Sequence, residues 1–379
     1  MEIEQSLWRQ SSRRWEPSPP VGMAGAQVVL VFGGRGALME GSWRLRVREA
    51  YPDAHLMGCS TAGEICGARI SDESVVITAL RFDHTSVLGL QIGVEGMERS
   101  FDVGRTLACA LDGDGLKHVL VLSDGSCVNG SELVRGLRGA LPEAVTLSGG
   151  LAGDGTLFTE TRVFFNSEPE VGQVAALGFY GDRLKVGCGS LGGWDPFGPE
   201  RVITRAEGNR LYELDGHPAL DLYRAYLGEH AAGLPATALF FPLSIRAEGE
   251  EQGLVRTILG IDEAQHCMIF AGDMPVGHYA RLMKANLNRL LDGAHGAAQA
   301  SIERLDGAQA GLALLISCVG RRMVFKQRVE EELEVVRDVL GPAAALTGFY
   351  SYGEISPFSS LDQCELHNQT MTVTVFNEA

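Results

Sequence analysis

Three carboxylates in this chain share one setting. Glu64, Asp154 and Glu354 each stand twelve residues after a proline (Pro52, Pro142, Pro342) and directly after a glycine (Gly63, Gly153, Gly353). The same prolines are followed at +2 by Ala54, Ala144 and Ala344, and at +6 by Gly58, Ser148 and Gly348. A carboxylate in such a loop has two uses: it holds an ammonium group, or it accepts N–H bonds from its own turn. The glycine before it suits both, because it takes positive φ and lets a ligand approach the backbone. Hydroxyls beside two of the acids add hydrogen-bonding capacity. The expected ligand contacts are therefore Ser60, Thr61, Gly63, Glu64, Gly153, Asp154, Ser351, Tyr352, Gly353, Glu354 and Asn368. Threefold repetition argues equally for loop scaffolding.

Other constellations say less. Gly33-Gly34-Arg35-Gly36 follows an apolar run but does not complete a dinucleotide fingerprint, and neither glycine-rich loop carries a phosphate-binding lysine. Ser60 and Ser351 lack the glycine frame of a hydrolase nucleophile. The segment from Asp124 to Ser131 reads as a turn with a helix cap, leaving Asn129 able to face a pocket. Eight cysteines without a C-x-x-C pair read as free thiols. Of nine histidines, His367 is the candidate axial ligand should haem be bound, although a lone histidine before a strand usually has a structural role. An enzyme built on the loop carboxylates is a rival class, but the expectation is a protein that is not an enzyme.

The elements that position these loops follow from pattern. Val28 to Phe32, Lys117 to Ser123 and Leu312 to Ser317 are apolar runs of strand length, as expected for strands buried on both faces. Each leads into a segment of helical spacing, Trp43 to Ala50, Ser131 to Leu141 and Val329 to Leu340, which the repeated proline then ends. Parallel pairing through a crossover helix follows. Alternation in Gln369 to Phe376 predicts antiparallel partners, so the sheets are mixed. The fold class is α/β with mixed sheets, in two related domains built from repeated β-α-β units with glycine-rich loops. The expected division is an N-terminal arm over 1–24, one domain with two internal repeats over 25–212, and a second over 213–379, each too small to exceed one core.

Charge narrows the partners. A net charge of −16 repels a phosphate backbone, so nucleic acid is not expected. The acidic start Met1-Glu2-Ile3-Glu4 lacks the basic and apolar regions of a signal peptide, and no apolar run spans a bilayer, so a cytoplasmic protein without membrane contact is expected.

The wording of the loops is itself informative. Gly58-Cys59-Ser60-Thr61-Ala62-Gly63-Glu64-Ile65 and Gly149-Gly150-Leu151-Ala152-Gly153-Asp154 resemble the loops of the FIST N-terminal domain. Gly216 to Tyr223, Gly348 to Ile355 and Leu366 to Thr372 resemble the opening and close of the FIST C-terminal domain. The resemblance implies a bacterial signal-transduction input module that binds a small ligand, an amino acid or similar. No output domain is read within these residues, so the signal would pass to a separate partner. A stand-alone branch of the family, the haem-binding nitric oxide sensors that regulate a histidine kinase or a cyclic-di-GMP enzyme, shares that layout.

Overall fold

The computed structural model describes residues 1–250, 253–357 and 364–378. It is a mixed α/β protein in which three six-stranded sheets are assembled by one rule and a fourth, antiparallel sheet is inserted. Every residue of Val28–Gly34 and of Leu312–Cys318 is buried. Each pairs in parallel with the strand that follows its helix, His55–Thr61 and Ala345–Ser351, and Leu116–Ser123 does the same with Thr146–Leu151. On the other side each takes an antiparallel neighbour, Ser74–Arg81, Gln173–Tyr180 or Met371–Glu378. A further strand extends that flank: Glu2–Arg9, itself followed by the short edge strand Arg14–Glu16, or the edge strands Ser86–Gly93 and Leu184–Leu191. The opening residues thus form the last two strands of the first unit's sheet, with Trp8 only 3% exposed.

The opposite flank of every sheet is supplied by another unit. Residues beyond Glu64 leave the first unit and pair, as Glu64–Cys66, with Ala345–Ser351 of the third. Those beyond Asp154 reach the first unit as Val163–Phe165, and Gly353–Pro357 of the third joins the second. The exchange is cyclic, and the three sheets enclose a shared core to which Phe32, Leu120 and Ile316 contribute one each of many residues. Phe32 and Phe349 stack there at 4.8 Å between ring centroids. The outward faces of the same strands carry Val31, Val121 and Leu315 into separate cores under the helices, which is why the strands read as unbroken apolar runs.

The predicted helices are Ser42–Ala50, Gly130–Arg138 and Glu330–Leu340. One detail of the repeat differs. The glycine facing the parallel neighbour is Gly58 opposite Val31 and Gly348 opposite Leu315, but in the middle unit it is Gly149 opposite Val121, one residue after Ser148. At all three a Cβ would collide with the facing carbonyl oxygen.

Residues 195–284 form the inserted domain, a sheet around Asp195–Glu207 and Tyr279–Lys284 with the helix Ala219–Leu227 packed on a core of its own. It enters the third unit between its edge strand and the helix Leu287–Glu303. That helix lies so close to the edge strand that Gly187 and Gly189 face the carbonyls of Ser301 and Ala297 without room for a methyl.

Candidate functional site

Cavities open where the two parallel strands of the first and of the second unit end, the usual position for ligands of such sheets. In the first unit Gly34, Arg35, Thr61, Gly63 and Glu64 meet Asp154 of the second around a space of about 250 Å³. Glu64 is 1% exposed. Its Oε1 lies 2.6 Å from Thr61 Oγ1, and its Oε2 accepts from the Ser74 amide at 3.2 Å and pairs with Ser74 Oγ at 2.6 Å. Glu354 repeats the arrangement: Ser351 Oγ at 2.7 Å, the Thr370 amide at 3.2 Å and Thr370 Oγ1 at 2.9 Å. Asp154 differs. Its Oδ2 accepts from the amides of Thr159 and Glu160, at 3.1 and 3.0 Å, and from Arg35 Nη1 at 3.2 Å, while Oδ1 accepts from the Phe158 amide at 2.9 Å and from the Tyr352 hydroxyl.

Charge follows environment. Burial pushes Glu64 and Glu354 up to about 8, against the pull of the hydroxyls and amides that bind them. Burial works the same way on Asp154, but its hydrogen bonds from Tyr352, Glu160 and Thr159 win and hold it below the ordinary range. Two acids that keep protons in the folded chain and lose them on unfolding, from about 8 down to the ordinary 4.5, make stability fall as pH rises through that window. The expected result is a melting temperature higher at pH 5 than at pH 8.5. The double variant Glu64→Gln/Glu354→Gln, which fixes the neutral form, should flatten that difference; equal slopes in the two proteins would mean that these acids are ionised in the fold.

The remaining expected residues are placed as follows. Ser60 Oγ accepts from the Arg162 amide at 2.8 Å, and Gly153 lies against Ala62 with little space for a side chain. Tyr352 stacks on Phe158 at 4.6 Å and a 17° interplanar angle, its hydroxyl on Asp154. Gly353 faces Leu366 and Asn368. Asn368 and the adjacent Gln369 are fully buried, and among the described residues their amides find no hydrogen-bond partner. Haem does not suit His367. The imidazole is 2% exposed on the strand Cys364–His367, with Nε2 3.0 Å from the Ser356 carbonyl, where an N–H donates across the strand pair, and burial keeps the ring neutral by lowering its pKa to about 4. Among the described residues no group of three or more His, Cys, Asp or Glu is placed to hold a metal ion.

The largest of the cavities described here, about 650 Å³, opens at the second unit's crevice, where the inserted domain closes over it. Gly125, Ser126, Asn129 and Leu151 form the floor, Phe158 and Tyr352 one wall, and Asn209, Leu234, Ile258, Phe270 and Asp273 the roof. Asn129 caps the helix Gly130–Arg138 through its Oδ1, and its Nδ2 donates to Asp273 Oδ1 at 3.3 Å, joining floor to roof. Sequence reasoning places Asn129 within reach of a pocket but gives no sign of Asp273, whose neighbours belong to no repeat. On the other flank of the inserted domain a recess of about 310 Å³ is lined by Glu200, Arg246, His367 and Thr370.

Comparison with known proteins identifies two family domains. The FIST N domain matches residues 27–217 and the FIST C domain residues 219–357. An uncharacterised protein of Mycobacterium tuberculosis is 25% identical over 68% of this chain and 67% of its own length. A second, from Mycobacterium bovis, is 24% identical over 60% and 59%, and an uncharacterised protein of Methanocaldococcus jannaschii is 28% identical over 48% and 37%. A crystal structure of cyanuric acid hydrolase from A. caulinodans aligns over 78% of this chain and 99% of that one, at 13% identity and a TM-score of 0.19. No helix among the described residues is long and apolar enough to cross a membrane.

Proposed function

The chain belongs to the FIST family, whose domains are associated with sensory signal transduction, and from that premise we propose that it binds a small ligand between its α/β body and the inserted domain and signals to a separate output partner. The observation that carries the reading is the 650 Å³ cavity itself, which is within the usual size for a small-molecule site and lies at a domain boundary, where such sites concentrate. Its floor belongs to the rigid body and its roof to the insertion. The Asn129–Asp273 hydrogen bond is the polar link between them at the cavity. A ligand that competes for either side chain binds one arrangement of the two domains better than another and so shifts their populations, which is the requirement for a signal. The loop carboxylates support this cavity from outside it: Asp154 fixes Tyr352 and the turn carrying Phe158, which form its wall.

Thermal unfolding tests the reading. In a screen of small metabolites, at least one compound should raise the melting temperature, by an amount equivalent to about 2.7 kcal/mol at a hundredfold excess over its dissociation constant. Ala271→Trp fills the cavity from the roof and should abolish that response while leaving the unliganded protein folded. A response that survives the substitution places the ligand elsewhere, and the reading falls.

A further inference from the structure

The cavity between body and insertion has a charge pattern that selects a ligand class. Among its described lining residues Asp273 carries the one ionic side chain, and no lysine, arginine or histidine reaches it. No ion pair within 4 Å takes up the carboxylate among the described residues; its Oδ1 receives the Asn129 amide at 3.3 Å, and the buried Arg256 acts on it only through space. Arg256 lies behind the roof. Its Nε donates at 3.4 Å to the main-chain carbonyl of Asp273, its Nη1 donates at 2.8 Å to Leu366 O, and Gly272 stands between the guanidinium and the space.

The floor is the place where an anion would otherwise be expected, since a loop and a helix N-terminus meet there. Several of its donors are already used. The amide of Gly125 donates to Thr161 Oγ1, those of Ser126 and Cys127 to Asp124 Oδ1, that of Asn129 to Ser100 Oγ and that of Glu132 to Asn129 Oδ1. The walls are apolar and aromatic, with Phe158 and Tyr352 offering ring surface to a cation. A net charge of −16 draws cations towards the molecule.

We infer that the ligand of this cavity is an organic monoamine with an apolar or aromatic body, its ammonium on Asp273 and its body between the aromatic wall and the roof. The inference rests on the sensor reading above and refines it. A free amino acid fits less well, because no lysine, arginine or histidine lines the cavity to meet its buried carboxylate.

Four related probes separate the possibilities: 2-phenylethylamine, the neutral 2-phenylethanol, the anionic 3-phenylpropionate and zwitterionic phenylalanine. Calorimetric titration of the full chain should give binding of phenylethylamine at least tenfold tighter than that of the other three. Asp273→Asn should weaken the amine at least tenfold and leave the alcohol unchanged. Should Asp273→Asn disturb folding, Leu259→Lys provides a second route, since Leu259 is 49% exposed at the cavity and its replacement adds an ammonium that repels the amine and favours the acid. Equal or tighter binding of the alcohol, the acid or phenylalanine overturns the inference, as does an amine indifferent to both substitutions or the failure of all four to bind. If the acid binds and Ala271→Trp abolishes its binding, the cavity remains the ligand site and the charge assignment alone is wrong.

Discussion

Glu332→Ala is expected to cost the fold about 3–5 kcal/mol, because it strands a buried guanidinium. Arg321 and Glu332 are both fully buried. Arg321 Nε and Nη2 donate to Glu332 Oε2 at 3.0 and 2.8 Å, Nη2 also donates to Leu290 O at 2.8 Å, and Nη1 donates to Gly192 O. The other carboxylate oxygen accepts from Ser317 Oγ at 3.1 Å and Tyr350 OH at 2.6 Å. One pair therefore ties three helices, Leu287–Glu303, Val319–Phe325 and Glu330–Leu340, to the third unit's central strands and the chain leading into the insertion. Replacing both partners by apolar side chains, Arg321→Met with Glu332→Leu, should lose much less, since no charge is left uncompensated. Urea midpoints at unchanged slope measure both. A single substitution costing under about 1 kcal/mol, the level of an exposed pair, would show that solvent reaches this pair.

Gly348→Ala should be at least as damaging, on the order of 4–5 kcal/mol, through combined overpacking and backbone strain. Gly348 has φ 155°, and a methyl at this position would fall on the Leu315 carbonyl of the parallel neighbour, in backbone that cannot move aside without parting the strands. Gly149, at φ 154° opposite Val121, should respond alike. Gly341 is the control. It has φ 80° with nothing within 4 Å of its Cβ position, so Gly341→Ala should show only the conformational cost, about 1–3 kcal/mol. Comparable losses at 341 and 348 would mean that close strand approach contributes nothing.

The repeat was legible because its parts are local. A strand buried on both faces writes an apolar run, a proline ends a helix, and a glycine before an acid marks the loop, so the β-α-β units and the mixed α/β class can be read in order along the chain. The one-residue displacement at Gly149 could not be read, since Ser148 sits at the expected offset and only pairing with Val121 distinguishes them. The saturation of Glu64 and Glu354 was half visible: Thr61 and Ser351 stand three residues before, but Ser74 and Thr370 come from the start of the antiparallel strand, at different separations. Asp273 was invisible. It lies in a loop of the inserted domain after the strand Cys267–Phe270, outside every repeat, and its meeting with Asn129 spans 144 residues of sequence.

The cyclic exchange of loop-borne strands divides the molecule mechanically. Because every sheet is finished by a neighbour's segment, the three units lock into a closed frame in which none can tilt without tearing two others, whereas residues 195–284 share no sheet with the frame and join it through two chain crossings in the third unit and side-chain contacts such as Asn129–Asp273 and Arg256–Leu366. On the proposed sensor reading, displacement on ligand binding would be channelled into that one part, with the frame as the fixed reference for its position.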